Sequence, residues 1–463
     1  MKKIFMTLSR GFLARNILQT GISAKLLEEG NELVIATPGV DDPEFVKTFS
    51  RPDVKIIKFH IPRWTWLDRR LAGFHHNLLW SGTVRFAAKY GIYKSGRFQS
   101  LRYVVQLLVF KPLSYIPQLR LLVRWFDSRL RPAPQEILEQ LRKEKPELVF
   151  LTNPMEDADS FYIKAAKQLG ITTVGLVKSW DNMSKTSFRI LTDYVLVWGE
   201  YMKEEAVKYQ LYPKDRIFET GVPQFDIYFS RDGLRQRDEF LDTLGLEPRR
   251  KTIIFGSEGK VTPNDSEVAA GIVGMMEKGE LIKPCQVLVR PHFGYKNDAD
   301  KFDPVAGKAH LAIDRFNTPR PVFYDQWDFS REHYLRLAEI LQAGDIMVTT
   351  ASTLAIDAVM FDVPVIAVAF DGDHMFPHRE SVARWYETEY YSHVLKTGAV
   401  VIVRNFTELR AALNAALARP GARQAQRREL VRRFAGRYDG KAAGRIAAYL
   451  SELAATGKIS KEL

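Results

Sequence analysis

The sequence predicts an α/β protein made of two successive doubly wound domains, each a parallel sheet with helices on both faces. Three observations predict this. Short apolar runs recur along most of the chain, and each is followed by a stretch with apolar residues at helical spacing. Several of the joints between run and helix are rich in Gly, Ser or Thr. The series halts at a polar stretch, Phe229 to Glu247, and resumes after Arg249-Arg250-Lys251.

Lys3 to Leu8 reads as the first strand and Ser9-Arg10-Gly11 as the turn after it. Phe12 to Glu28 keeps helical spacing through Leu13, Ile17, Ile22 and Leu26, and Gly30-Asn31 closes it as a C-cap. Glu32 to Thr37 and Val54 to Phe59 are the next strands. Pro62 to about Arg131 interrupts the alternation with an aromatic, basic, mostly helical stretch, ended by Pro132 to Pro134. Ile137 to Lys143 is a helix, Glu147 to Thr152 a strand, Ala158 to Leu169 a helix and Thr172 to Val177 a strand. Tyr194 to Trp198 and Ile217 to Thr220 are strands around the helix Met202 to Tyr209. The second series has strands at Thr252 to Phe255, Gln286 to Val289, Ile346 to Thr349, Val363 to Val368 and Val400 to Val403. Phe406 to Ala418 is a helix, Pro420-Gly421 breaks it, and Arg423 to Leu453 is a final basic helical stretch. The expected division is residues 1–230 with an insert at 63–131, then 235–425, then a C-terminal helical segment, 426–463.

With 463 residues and 46% hydrophobic content the chain can bury full-sized cores. Its single cysteine, Cys285, rules out a disulfide framework and a CxxC metal site. No apolar run approaches the roughly 18 residues of a membrane span, and Ser9 and Arg10 cut the first run too short for a signal peptide. The expected location is therefore cytoplasmic. Both halves read as Rossmann-like, yet GxGxxG and GxxxxGK[ST] are missing, which makes NAD enzymes and P-loop ATPases less fitting. Enzymes that hold a nucleotide between two such domains remain.

Gly344 to Val368 reads as strand, small hydroxyl-rich turn, helix, strand. Ser352 and Thr353 at that helix start suit a phosphate, and Asp357 one turn on suits a ribose hydroxyl. An ordinary turn in which Ser352 caps its helix is the plain alternative. Arg290-Pro291-His292 follows a strand, where open α/β sheets bind ligands. Arg290 offers a fork for phosphate, and His292 a hydrogen bond or a proton shuttle. Gly256-Ser257-Glu258-Gly259-Lys260 brings backbone close to a phosphate and Glu258 to a sugar, or is a surface turn. Lys178-Ser179-Trp180-Asp181-Asn182 ends a strand of the first half. Asp181 there is placed as a general base toward an acceptor hydroxyl, with Trp180 beside it; capping and packing are the alternative roles. Ser9 and Gly11 form the other turn facing the expected cleft, and Gly221 to Asp226 fits a hinge better than chemistry. His75 and His76 are adjacent and so diverge, and Asp371, Asp373 and His374 fit a hydrogen-bonding turn better than a metal site. No metal or other cofactor is expected.

Arg63 to Arg131 holds thirteen basic residues against Asp68 and Asp127, net +11 of the chain's +12, together with thirteen aromatics. Such a stretch fits an anionic membrane surface or a solvated arginine face; nucleic acid fits less well.

These residues resemble those of GT-B glycosyltransferases, nearest the CDP-glycerol glycerophosphotransferases and the capsule or lipopolysaccharide sugar transferases. The likeness is carried by Val197-Trp198-Gly199 with Thr220 to Asp226, by Arg290-Pro291-His292, and by Ser352-Thr353 with Asp357 and Pro364. Tyr438-Asp439-Gly440-Lys441-Ala442 is similar to that family's closing helix, so the likeness spans about residues 145–445. It implies two domains facing across a cleft, a nucleotide-activated donor on the C-terminal one, an acceptor on the N-terminal one, and transfer without metal. The expected activity is a nucleotide-sugar glycosyltransferase acting on a glycan or lipid-linked acceptor in surface polysaccharide or glycolipid synthesis. The glycerophosphotransferases carry a Trp-His-Gly-type motif where this chain has Trp180-Asp181-Asn182, and that departure favours a sugar donor with Asp181 as base. Glycerophosphate transfer, a UDP-GlcNAc 2-epimerase-like activity and a non-catalytic membrane-surface role are the alternatives. The epimerases lack a long basic-aromatic insert.

Overall fold

A computed structural model describes residues 1–91, 98–295 and 297–459. The first half forms a seven-stranded sheet from β1 (Lys2–Thr7), β2 (Asn31–Thr37), β3 (Val54–Lys58), β4 (Leu148–Leu151), β5 (Thr172–Leu176), β6 (Tyr194–Val197) and β7 (Ile217–Glu219), in the order β3-β2-β1-β4-β5-β6-β7. The second half forms a six-stranded sheet from β8 (Lys251–Gly256), β9 (Cys285–Arg290), β10 (Leu311–Ile313), β11 (Ile346–Thr349), β12 (Val365–Val368) and β13 (Val400–Val403), in the order β10-β9-β8-β11-β12-β13. Every strand pairing is parallel; β1 meets β4 with Ile4 opposite Leu148, and β8 meets β11 with Ile253 opposite Ile346. Helices cover both faces, so central strands such as Leu148-Val149-Phe150-Leu151 and Ile346-Met347-Val348 are buried throughout. Each sheet reverses its order at its first strand, β1 in one half and β8 in the other. The crevices beside those strands face each other.

Three expectations need correction. The single helix Phe12 to Glu28 is two helices, Gly11–Leu18 and Ile22–Glu28. Gly21, at φ 83°, turns the backbone between them while the apolar spacing runs on in register, so periodicity alone missed the break. The strand Leu311–Ile313 was not anticipated: it has three half-buried residues on the sheet edge and so a weak pattern. Arg423 to Leu453 is not one helix but Gln424–Phe434 and Ala442–Thr456, with Gly436 at φ 68° between them.

The last helix crosses back. Ile446, Leu450 and Leu453 of Ala442–Thr456 enter the core of the first half beside Ile4, Leu26, Leu33 and Leu148. Asp226 fastens its start, accepting the backbone N–H groups of Ala442 at 3.0 Å and Ala443 at 2.8 Å. The crossing chain passes so close to the β6 end that a Cβ on Gly436 would stand 2.4 Å from the Trp198 carbonyl oxygen. The loop 314–330 docks in the same sense: Phe323 and Phe329 pack on Ala14 and Phe45 of the first half.

Between β3 and β4 lie the helices Trp66–Leu78, Gly82–Tyr90, a run from Gln99 to Ser114 with a π-turn over Gln106–Phe110, and Pro117–Leu130. Buried ions seat them. Asp127 accepts from Lys164 at 2.6 Å, Arg189 at 2.9 Å and His75 at 3.1 Å, and Asp68 pairs with Arg131 at 3.0 Å. Burial pushes the Asp127 carboxyl up, but hydrogen bonds from His75 and Arg189 outweigh it and hold the group well below the usual carboxylate range. Arg124 is also internal, donating to the Phe188 and Gln210 carbonyls at 3.0 and 2.8 Å. Both acids of this stretch are therefore inside. Its surface shows Leu101, Leu108, Tyr115, Trp125 and Leu130 among exposed Arg69, Arg70, Arg102 and Arg129. No helix among the described residues is long and apolar enough to cross a membrane.

Candidate active site

A cleft of about 590 Å³ lies between the two halves. Its floor comes from the C-terminal ends of the strands, where side chains leave the sheet and backbone groups are unpaired. The first half supplies Arg15 from the helix after β1, and Lys178, Asp181 and Lys185 from the segment after β5. The second half supplies Ser257 and Glu258 after β8, Arg290 and His292 at the end of β9, and Ser352, Thr353 and Asp357 after β11. Four cations thus converge with three carboxylates.

Arg290 is buried, and its Nη1 has no hydrogen-bond partner among the described residues. A buried guanidinium nitrogen without a partner carries a desolvation cost that an anion in the cleft would relieve. Burial and, after it, the nearby Arg290 charge lower the Arg15 pKa to about 10, so the two cations share one field. Asp357 is buried; its carboxylate accepts the Tyr228 hydroxyl at 2.8 Å. Burial raises it to about 6, with Tyr228 and Arg290 pulling the other way. Burial pushes Glu258 up to about 7, against the Ser352 hydroxyl, which lowers it. Asp181 behaves oppositely. Burial favours its neutral form, but an ion pair with Lys185 outweighs this and holds the carboxylate below its usual range. The Ser179 hydroxyl and the Asn182 amide also donate to it, at 2.6 and 3.1 Å. His292 is pushed down to about 4 by burial, so its imidazole is neutral near pH 7 and offers one N–H and one lone pair. Its backbone N–H is held by Asp298 at 2.7 Å and its ring lies 4.6 Å from that of Tyr295.

The cleft brings together Asp181, His292, Ser257, Glu258, Arg290, Ser352, Thr353 and Asp357 of the residues singled out in the sequence. Four others lie elsewhere. Trp180 is buried behind the cleft wall, and its indole N–H donates to the Thr353 hydroxyl at 3.2 Å across the two halves. Gly259 faces the Tyr295 ring at φ 65°. The Gly11 N–H is taken by Asp325 at 2.8 Å, and Ser9 lies near Asp159. Two hydroxyls on the cleft wall are already engaged. Ser352 Oγ accepts the Leu354 N–H at 3.0 Å, a local cap, and Ser257 Oγ donates to Asp298 at 2.9 Å. Sequence reasoning missed Arg15, Lys185 and Tyr228. Arg15 stands one helical turn after Gly11 and Lys185 one turn after Asp181, a spacing that puts each on the face of a residue already picked. Tyr228 had no such signal. Among the described residues, no three His, Cys, Asp or Glu side chains are grouped to hold a metal ion.

Two Rossmann-like domains facing across a cleft, closed by a returning C-terminal helix, define the GT-B class, and the chain is an enzyme of the glycosyltransferase type. Residues 163–452, more than half of it, match the family CDP-Glycerol:Poly(glycerophosphate) glycerophosphotransferase, and the chain belongs to that family. No curated protein sequence matches. Among solved structures it is similar to a putative UDP-N-acetylglucosamine 2-epimerase from Listeria monocytogenes, at TM-score 0.57 and 12% identity over 100% of this chain and 99% of that one. It is also similar to the UDP-GlcNAc 2-epimerase from Neisseria meningitidis bound to UDP-GlcNAc, at TM-score 0.54 and 10% identity over 98% and 100%. The wall teichoic acid polymerase TagF aligns at TM-score 0.54 and 11% identity over 98% and 90%. These likenesses show the fold.

Proposed function

We propose that the protein is a glycosyltransferase of surface polysaccharide or glycolipid synthesis that moves a sugar from a nucleotide-sugar donor to a glycan or lipid-linked acceptor. One observation carries the reading: Arg15 and Arg290, from different domains, line one cleft, and Arg290 presents an unpartnered buried nitrogen there. A diphosphate supplies the two negative groups such a pair needs, and the same cations stabilise the charge that grows on the leaving nucleotide. Lys185 and the Ser352-Thr353 turn flank it. Asp357, fixed by Tyr228, suits the ribose hydroxyls.

Asp181 is the base expected from the sequence. Its ion pair suits it better to aiming Lys185, while Glu258 has the basicity for proton transfer near neutral pH. In the transfer the acceptor oxygen bonds to the anomeric carbon and its proton goes to Glu258. The bond from that carbon to the phosphate oxygen breaks with its electron pair, and the nucleoside diphosphate leaves. His292, neutral in the free protein, donates its N–H to a phosphate oxygen. The exposed apolar and basic face of residues 66–90 and 99–130 would hold the enzyme at an anionic lipid surface. The family's own name favours a second reading, a CDP-glycerol donor. A thermal-shift panel of UDP-, GDP-, CMP- and CDP-linked sugars with CDP-glycerol separates the two. Stabilisation by a sugar nucleotide that is lost in Arg290→Ala is expected. No response to any donor would overturn both readings.

A further inference from the structure

A second cavity, of about 370 Å³, opens beside the cleft and shares with it Asp181, Lys185, Glu258, Tyr295 and Thr353. That volume lies in the range of ligand pockets, about 300–1,000 Å³. Its far wall is built by the basic-aromatic helices: His76 from Trp66–Leu78, and Thr83, Val84, Phe86 and Ala87 from Gly82–Tyr90. The opposite wall comes from the second half, with Trp385, Thr388 and Tyr390. Glu389 ties the two walls, accepting the Gly82 N–H at 2.5 Å.

We propose that this cavity is the acceptor subsite and takes a carbohydrate unit, with one hydroxyl of that unit delivered to Glu258 at the boundary with the donor cleft. The inference rests on the transfer reading above. Three features of the wall select a sugar. Aromatic rings are present on both sides: Phe86 and Trp385 lie 5.4 Å apart, and Tyr390 packs 5.3 Å from Trp180. Such rings stack on the apolar face of a pyranose. The Thr83 side chain is buried, and its Oγ1 has no hydrogen-bond partner among the described residues. A sugar hydroxyl satisfies that oxygen and a hydrocarbon chain does not. His76, lowered by burial and by Arg102, is neutral and able both to donate and to accept. The position completes the case, because a molecule filling this space ends at the junction where Glu258 faces both cavities.

The test is saturation-transfer NMR on the full chain with the methyl glycosides of glucose, galactose, mannose and N-acetylglucosamine, and with n-octanol as an apolar probe. Ala87→Trp fills the cavity, and Thr83→Val removes the hydroxyl at nearly constant shape. Nucleotide affinity is measured by calorimetry on the same samples. At least one glycoside is expected to bind the wild type, to lose its signal in Ala87→Trp and to weaken at least fivefold in Thr83→Val, with nucleotide affinity within twofold of wild type. Absence of binding by every glycoside, binding that survives Ala87→Trp, or binding of octanol alone would overturn the subsite. Glycoside binding sensitive to both variants in a protein that binds no nucleotide would instead strike the donor reading and leave the subsite standing.

Discussion

Asp325, in the loop 314–330 of the second domain, caps the first helix of the other domain. It accepts the Gly11 N–H at 2.8 Å and the Phe12 N–H at 3.2 Å. That helix carries Arg15 into the cleft, so the position of a first-domain cation depends on a second-domain carboxylate. The Asp325→Ala variant is expected to lose about 1 kcal/mol of stability, the usual worth of an N-cap. Urea unfolding reads the loss. Gly11→Ala places a Cβ 2.8 Å from the Trp327 carbonyl oxygen at the same junction, so the double variant should cost less than the sum of the singles. Strict additivity would mean the two do not act on one junction.

Loss of either arginine should show in nucleotide affinity. A charge-assisted hydrogen bond contributes roughly 1.5–3 kcal/mol, or about ten- to a hundredfold in affinity. Arg290→Ala and Arg15→Ala are each expected to weaken nucleotide diphosphate binding in that range by calorimetry, with coupling in the double variant. Arg290→Lys should recover part of the affinity, since a lysine keeps the charge and loses the fork. Wild-type affinity in both alanine variants would remove the diphosphate from this cleft.

The pH dependence separates the two carboxylates. With Glu258 near 7, kcat/KM should rise with an apparent pKa close to that value as the base loses its proton. Glu258→Gln should lose that limb and most of the rate. Asp181→Asn should keep the limb at lower amplitude, because its effect runs through Lys185. Stability carries the same signature. A carboxyl raised from its ordinary 4.5 to about 7 holds its proton in the folded state after the unfolded chain has released it. Its contribution is present below 4.5 and is lost as pH rises through 7. Glu258→Gln should therefore gain on the wild type between pH 5 and pH 8 in urea titrations, and parallel curves would place Glu258 in an unperturbed setting.

Membrane contact is testable on the face formed by residues 66–90 and 99–130. Flotation with vesicles containing anionic lipid should carry the wild type upward, and vesicles of zwitterionic lipid should not. The Leu108→Glu/Trp125→Glu double variant should sink, and raised salt should weaken binding. Equal flotation with both vesicle types would make the basic residues irrelevant to the contact.

The fold class was legible because parallel strands buried on both faces read as short apolar runs, and such runs alternate with helical spacing through both halves. That Arg290, His292 and Glu258 would line one cleft was legible for a related reason. Strand ends can be located in sequence, and ligands in doubly wound sheets gather past those ends. Periodicity was blind to Gly21 and Gly436, where a left-handed glycine redirects the chain without disturbing the apolar register.

By itself the sequence determined two doubly wound domains, the strand ends that line the cleft, and a basic-aromatic stretch lodged in the first half. Only the tertiary structure decided which charges share the cleft and what state they hold. It brought Arg15 to Arg290 and Tyr228 to Asp357, locked Asp181 onto Lys185 while leaving Glu258 raised, and turned Asp68, Asp127 and Arg124 inward. It also gave the last helix to the first domain. The reason is physical: a side chain's pKa and partner depend on burial and on neighbours far away in sequence, and local pattern carries information only about neighbours a turn or a strand away.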